Sequence, residues 1–343
     1  MLVQRRLLLF TAAVLVVFAC IPVFSACSRD GKLTKVRLNE VTRSVFYAPM
    51  YVAINLGYFA EEGIELEITT GQGADKVMTA VLSGEADVGF MGPEASIYVY
   101  NEGQKDFAVN FIQLTQRDGS FLVAREPDPD FTWEKVRGKS IIGGRKGGVP
   151  LMTLEYVLKK HGLIPGKDVE VLTHIQFALM AGAFTGGEGD YVTLFEPVAT
   201  ELELAGAGYV VASVGRDSGL IPYTAFSARK SYLEQNRELV ERFTVAICRG
   251  QIWVREHSPE EIAKVIKPSF PDSNEAILTK VAARYKEIDA WAATPHFSAE
   301  AFERLQDVME LAGELTKRAP YEELVTNEFA EKALASVRKA EGR

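Results

Sequence analysis

From Lys35 to Val41 the chain reads KVRLNEV, with apolar Val36 and Leu38 alternating with polar neighbours, the pattern of a strand with one face in a core and the other toward solvent. The period then changes. APMYVAINLGYF, Ala48 to Phe59, has Pro49 at a first helical position and Gly57 where a helix would stop, and GIELEITT returns to alternation. This is a strand-helix-strand unit. A second helix is predicted from Asp75 to Gly84, a short strand in ADVGFMG, and a third helix in PEASIYVYNEG with Pro93 near its start. Alternating elements of this kind predict an α/β fold with parallel strands.

Past Arg125, EPDPDFTWEKVRGKS is rich in Pro and charge, so the chain is expected to cross there into a second body. SIIGGRKGGVPLMTLEYVLKKHG then supplies an apolar strand, a glycine-rich turn and a helix from about Pro150 to Lys160, and DVEVLTHI the next strand. VLSGEADVGFMGPEA in the first unit is echoed by AFTGGEGDYVTLFEPVA in the second, pairing Asp87 with Asp190 and Glu94 with Glu196. From Tyr223 the pattern reads as helical to the end: Leu239, Phe243, Ala246, Ile247, Gly250 and Val254 recur at helix spacing, and Ser258-Pro259-Glu260-Glu261 has the form of a capping box, as do Asp272 and Glu275. These helices need a sheet to cover and are expected on the first lobe. The predicted organisation is a lobe from 35–124 plus 224–343, a second lobe from 125–223, and two hinge crossovers.

The N-terminus changes the picture of location. Arg5 and Arg6 precede an apolar stretch from Leu7 to Ala26, then Cys27 and polar residues, which reads as an export signal over 1–26. Phe24-Ser25-Ala26-Cys27 resembles the lipobox of bacterial lipoproteins, although Phe24 stands where Leu is usual. That resemblance implies lipidation of Cys27, a tether over 27–34 and a cell-membrane location on the extracytoplasmic face; a retained apolar helix and ordinary secretion are the alternatives. Cys20 would leave with the signal and Cys248, in a helical run, is read as a core residue. The 343 residues carry a net charge of −8 with no Lys/Arg cluster, which argues against nucleic acid as a partner. The four histidines show no ligand-like spacing, so neither a metal nor another cofactor is implied.

YAPMYVAINLGYFAEEGIELEI, VLSGEADVGFMGP and TLEYVLKKHGLIPGKDVEVL followed by GDYVTLFEP, in this order, resemble the solute-binding proteins of bacterial ABC importers, nearest to the branch that includes binders of thiamine-pyrimidine precursors, sulfonates, taurine and nitrate. The resemblance implies a monomeric two-lobed clamp that closes on a small solute and delivers it to a permease with its ATPase, without being an enzyme. It spans residues 33 to about 340. Enzymes of related fold that build the thiamine pyrimidine carry a cysteine-rich motif that this chain lacks, and a membrane-tethered solute sensor remains the third alternative.

In open α/β sheets ligands bind beyond the carboxyl ends of strands. Tyr47 and Phe46 are therefore candidate stacking residues, and Glu94, just after Gly92 and Pro93, a candidate acceptor for an amine. GGRKGGVP lacks the ending of a P-loop, but the helix N-terminus it forms, with Arg145, Gly147 and Gly148, is a candidate for an anionic or carbonyl group. Thr193 and Glu196 are expected on the second lobe's face of the cleft, and Arg117 and Tyr223 near the crossovers. Carboxylates at Glu94, Asp118 and Glu196 would repel an anion, so the expected solute is a neutral or amine-bearing heteroaromatic related to the thiamine pyrimidine, with a sulfonate, nitrate or taurine-type anion as the alternative.

Overall fold

A computed structural model describes residues 33–340 and 342. The apolar leader and Cys27 lie outside the described residues. No helix among the described residues is long and apolar enough to cross a membrane.

The strands are β1 (Thr34–Glu40), β2 (Ile64–Thr70), β3 (Val88–Met91), β4 (Ala108–Thr115), β5 (Ser120–Ala124), β6 (Ser140–Ile142), β7 (Glu170–Leu172), β8 (Tyr191–Phe195), β9 (Tyr209–Ser213) and β10 (Thr224–Arg229). They form two five-stranded sheets of one plan, ordered β2-β1-β3-β10-β4 and β7-β6-β8-β5-β9. In each, three parallel strands are followed by one strand antiparallel to both its neighbours: β10 lies between β3 and β4, and β5 between β8 and β9. The chain changes sheet twice, between Thr115 and Ser120 and between Ser213 and Thr224. The architecture is the expected α/β pair of sheets with two crossings.

Two sequence expectations change. The first crossing comes at 116–119, earlier than the Pro-rich stretch after Arg125, because SFLVA already pairs in the second sheet as β5. Thr224–Arg229, read as the start of the helical region, is instead β10. TAFSAR holds one large apolar residue, so its own pattern is weak; the slot between β3 and β4 decides its conformation.

The helices are α1 (Ala48–Asn55), α2 (Tyr58–Glu61), α3 (Ala74–Ser83), α4 (Glu94–Asn101), α5 (Val149–Lys160), α6 (Met180–Thr185), α7 (Val198–Leu204), α8 (Val214–Ser218), α9 (Lys230–Gln235), α10 (Arg237–Glu256), α11 (Pro259–Ile266), α12 (Glu275–Glu287), α13 (Ala299–Leu311), α14 (Tyr321–Leu324) and α15 (Glu328–Ala340). Pro49 occupies the first turn of α1, and Gly57 and Gly84 take the left-handed conformation (φ 79° and 78°) that ends a helical segment without Cβ strain. Ser258 and Glu261 form the predicted capping box of α11; α12 is capped by Asn274, two residues after the predicted Asp272.

α10 packs on α1 and α15. The approach to α1 is close enough that a Cβ at Gly250 would lie 2.2 Å from the Pro49 carbonyl oxygen, which fixes glycine there. Cys248, on the same helix, is fully buried. The edge strand β4 is buried along its whole length because the C-terminal region covers it, with Val325 bridging Asn110 and Trp291 bridging Thr115. α12 and α13 also reach the second sheet's helices, α7 and α5, so the C-terminal region does not stay on one sheet as expected.

Candidate functional site

The short 3-10 helix Val45–Tyr47 follows β1 and starts from Ser44, whose side chain accepts the Phe46 N–H. It drives Phe46 into the space between the sheets. The Phe46 ring meets Tyr47, Phe195, Tyr223 and Tyr285 at centroid separations of 5.0–5.7 Å. Gly119, on the first crossing, must lack a Cβ because the Phe46 ring would lie 2.7 Å from it. Phe46 is fully enclosed, which corrects the expectation that it offers a flat face to a solute: its faces are covered by protein rings. Trp291 seals the same corner by donating its indole N–H to the Phe46 carbonyl (2.8 Å).

Tyr47 is also buried, its ring edge-on to Phe90 at 4.5 Å. Burial holds its hydroxyl in the neutral form, with the carboxyls of Glu40 and Glu94 adding to the effect. Glu94 opens α4 directly beyond β3 and is 3% exposed. Its Oε2 makes no hydrogen bond. Burial pushes the carboxyl up to about 8, against the lowering effect of its own backbone N–H and that of Val149 at the start of α5. Gly92 is fitted to this carboxyl, since a Cβ there would sit 2.0 Å from Oε2. One turn along α4, Tyr98 donates to the Gly147 carbonyl (3.3 Å). Glu94 and Tyr98 of the first unit thus meet the glycine-rich turn and α5 of the second.

Asp118 lies on the first crossing and is fully buried. Its Oδ1 accepts from the N–H and Oγ of Ser120, both at 2.6 Å, while Oδ2 makes no hydrogen bond. Burial raises the carboxyl to about 6, with Ser120, Tyr223 and Thr153 acting in the opposite direction. Tyr223, at the end of the return crossing, is 5% exposed and its hydroxyl makes no hydrogen bond of ordinary geometry. Desolvation raises it well above the ordinary tyrosine value, and Asp118, Tyr47 and Glu94 add to the rise, so these groups share one neighbourhood.

The other predicted residues fall elsewhere or are already engaged. The Thr193 hydroxyl donates to the Ile142 carbonyl inside the second sheet (3.3 Å). Glu196 is buried with both oxygens occupied, Oε2 by the Thr200 N–H (2.9 Å) and Oε1 by Thr200 Oγ1 and the Arg284 guanidinium; it caps α7 and anchors α12, which replaces the expectation that it faces a solute. Arg117 is half-buried, with one guanidinium nitrogen 3.5 Å from the Gly215 carbonyl and Nε unpaired. Arg145 is exposed and forms an ion pair with Asp75 of α3 at 3.6 Å, so it bridges the rim between the two units. Gly147 takes φ 79°, and Gly148 precedes α5 as its N-cap. The structure therefore brings together Tyr47, Glu94 and Tyr223 of the candidate contacts with Asp118, already expected among the cleft carboxylates, and adds Thr153 and Tyr98. Tyr98 was legible as the residue one helical turn after Glu94 on the same face.

The meeting groups are carboxyls and hydroxyls, with no buried cation among them. Such a site accepts hydrogen bonds and favours donors or positive charge. Among the described residues no cluster of His, Cys, Asp and Glu is placed to hold a metal ion.

Comparison with known proteins agrees with this architecture. The chain is 45% identical over 321 residues to YtlA of Bacillus subtilis (strain 168), whose name gives it a binding role, covering 92% of this chain and 96% of that protein. In three dimensions it is similar to the alkanesulfonate-binding protein SsuA from Xanthomonas axonopodis pv. citri, solved with MOPS (TM-score 0.69, 17% identity, 87% of this chain and 99% of that one). It is similar also to the desulfurization enzyme DSZB (TM-score 0.65, 16% identity, 88% and 100%). At these identities the two structural likenesses establish a shared fold, the periplasmic-binding-protein fold, which serves both binders and an enzyme. The family model described as NMT1/THI5 like matches residues 45–262, and with most of the chain covered by that match the protein belongs to the NMT1/THI5-like family.

Proposed function

We propose that the protein is the extracytoplasmic solute-binding component of an ABC importer, a two-lobed clamp that captures a small amine-bearing heteroaromatic solute, of the thiamine-pyrimidine type, and hands it to a permease. The observation that carries the reading is Glu94: a buried carboxyl with an unpaired oxygen, beyond a parallel strand and against the helix N-terminus of the opposite unit. A protonated ring nitrogen or an exocyclic amine would supply the missing donor. Tyr47 and Tyr223 lie in the same neighbourhood as this carboxyl. Nothing in this set resembles an activated nucleophile with its base, and we read the chain as a receptor.

The alternative solute is a sulfonate-type anion. The N-terminus of α5, where Gly148 has no side-chain cap, favours it, while the buried carboxyls at Glu94 and Asp118, once ionised, oppose it. The lipobox reading places the receptor on the outer face of the membrane through Cys27, and Cys27→Ser is expected to release it into the soluble fraction.

The test is to purify the full chain in detergent and identify by mass and ultraviolet absorbance whatever small molecule it carries, then to measure thermal shifts with an aminopyrimidine and with taurine. An aminopyrimidine that stabilises the wild type and loses that effect in Glu94→Gln supports the reading. Stabilisation by taurine alone would overturn the solute class.

A further inference from the structure

A groove of about 450 Å³ lies where α10 passes α2 and α15. Buried Val245, Ile252 and Val337 line its base. The rings of Tyr58 and Trp253 stand in its lining, each braced by a neighbour: the Arg249 guanidinium lies 3.8 Å from the Tyr58 ring centre, and the His257 ring stacks on Trp253 at 3.8 Å. Two carboxylates in the lining, Glu62 and Glu256, stand against one guanidinium, Arg249, which is itself ion-paired with Glu61 at 2.6 Å. Aromatic rings beside carboxylates attract an ammonium group and disfavour an anion.

The place of the groove in the chain path says which ammonium it meets. Glu62 directly precedes Gly63, whose carbonyl accepts the N–H of Thr34, the first residue of β1, at 2.9 Å. Arg242 of α10 donates to the Glu62 carbonyl. The chain therefore enters β1 beside the groove, at the opposite end of the first sheet's parallel strands from Glu94, which follows β3. From Cys27 to Thr34 is seven residues, a fully extended span of at most roughly 25 Å. Lipid on Cys27 would hold this end of the first sheet within that reach of the bilayer. In a zwitterionic bilayer the ammonium groups lie outside the phosphates, so they are what a body on a short tether meets first, and Tyr and Trp are the residue types that settle at that level.

Resting on the lipobox reading of Cys27 and not on any choice of solute, we propose that the groove between α2, α10 and α15 docks on the ammonium headgroups of zwitterionic phospholipid. The lipid on Cys27 keeps the protein at the membrane; the groove sets which end of it lies against the surface.

The experiment uses the protein's own fluorescence. Trp253 is partly exposed, whereas the chain's other two tryptophans, Trp133 and Trp291, are buried. The full chain as produced in cells is reconstituted from detergent into vesicles of phosphatidylethanolamine and phosphatidylcholine that contain a phosphatidylcholine spin-labelled on its headgroup, and into phosphatidylglycerol vesicles with the same label. Wild type, Trp253→Phe and the double variant Glu62→Gln with Glu256→Gln are compared, with flotation of the vesicles to show that the chain is bound and melting temperatures to show that each variant is folded. In the zwitterionic vesicles the label is expected to remove up to about a third of the wild-type emission, the share of one tryptophan in three, and to leave Trp253→Phe unquenched. The double variant is expected to keep its melting temperature and lose most of the quenching, and the phosphatidylglycerol vesicles to quench wild type weakly. A chain that floats with the zwitterionic vesicles while Trp253 stays unquenched, or equal quenching in both kinds of vesicle, overturns the proposal and leaves the anchor standing. A chain that floats no better than Cys27→Ser overturns the lipobox reading and this proposal with it, and neither result bears on the solute site.

Discussion

Glu94 is the residue whose ionisation would govern most of what the proposed site does. Its carboxyl titrates near 4.5 in an unfolded chain and near 8 in the buried site, and Asp118 moves in the same direction, from 3.8 to about 6. Between those values the folded protein binds more protons than the unfolded one, so stability is present at low pH and is lost as pH rises through 8. A shift of this size corresponds to roughly 3 to 5 kcal/mol. Urea unfolding of the ligand-free protein at pH 5 and pH 8 is expected to show the higher stability at pH 5, and Glu94→Gln should flatten most of that slope. The same linkage predicts that a cationic solute binds more tightly as pH rises from 6 to 8, because it pairs with the ionised form; a flat binding profile would remove Glu94 from contact. Gly92 gives a second handle. In Gly92→Ala the new Cβ would need the space of Glu94 Oε2, and since the carboxyl is the free end of a side chain it can swing aside. Stability is expected to fall by about 1 kcal/mol or less, while solute affinity, measured by titration, falls at least tenfold.

At the scale of elements, the internal echo in the sequence turns out to be architectural where the aspartates are concerned. Asp87 Oδ2 accepts the N–H of Arg37 in β1, and Asp190 Oδ2 accepts the N–H of Ser140 in β6, both at 2.9 Å, so each aspartate locks the entry of one strand to the neighbouring strand. The sheets that contain them share one strand order. The echo breaks at the glutamates. Glu94 follows its Pro and keeps a free oxygen, whereas Glu196 precedes its Pro and is consumed by Thr200 and Arg284. That difference was not legible, because Arg284 lies 88 residues away in sequence and only the folded chain reveals which carboxylate it reaches. Strand and helix positions up to Asn101 were readable from period and from Gly and Pro, since each element there is decided locally. β10 was not, because its conformation comes from the strands on either side. α12 carries the energetic consequence: Arg284 reaches Glu196 and also Glu203 (2.7 Å), with Lys280 on the same Glu203. Removing one member of a buried ion pair strands the other. Arg284→Ala is expected to cost about 3 kcal/mol in urea unfolding and Arg284→Lys less, because lysine lacks the fork that engages two carboxylates. Arg216→Ala, at an exposed pair with Glu287, should cost under about 1 kcal/mol; equal losses at Arg284 and Arg216 would show that the α12 seam is not buried in solution.

The whole molecule is held across its two sheets by contacts of unequal strength, and that inequality predicts how the proposed clamp moves. On the α12 side the joint is buried and multiply paired: besides Arg284, the Tyr285 hydroxyl donates to the Gly119 carbonyl (3.2 Å) on the first crossing and accepts the Glu196 N–H (3.1 Å). On the α4 side the polar contacts are fewer: the Tyr98 bond to Gly147, the exposed pair of Arg145 with Asp75, and Lys159 donating to the Leu311 carbonyl where α13 packs on α5. An exposed pair at 3.6 Å contributes at most about 1 kcal/mol, and the Tyr98 bond is long. Opening between these two sides therefore breaks the weak joint first, and the crossings beside Tyr285 and Gly119 act as the axis. Lys76 and Lys146 are exposed on opposite sides of the weak joint, as are Glu201 and Ala276 at the strong one. With spin labels at each pair, removal of solute is expected to shift the Lys76–Lys146 distance distribution to longer values and broaden it, while the Glu201–Ala276 distribution stays narrow and unmoved. Movement of both pairs by similar amounts would mean that the halves separate without a hinge at α12, and an unmoved Lys76–Lys146 pair would mean that solute reaches Glu94 by some route other than parting of the two units.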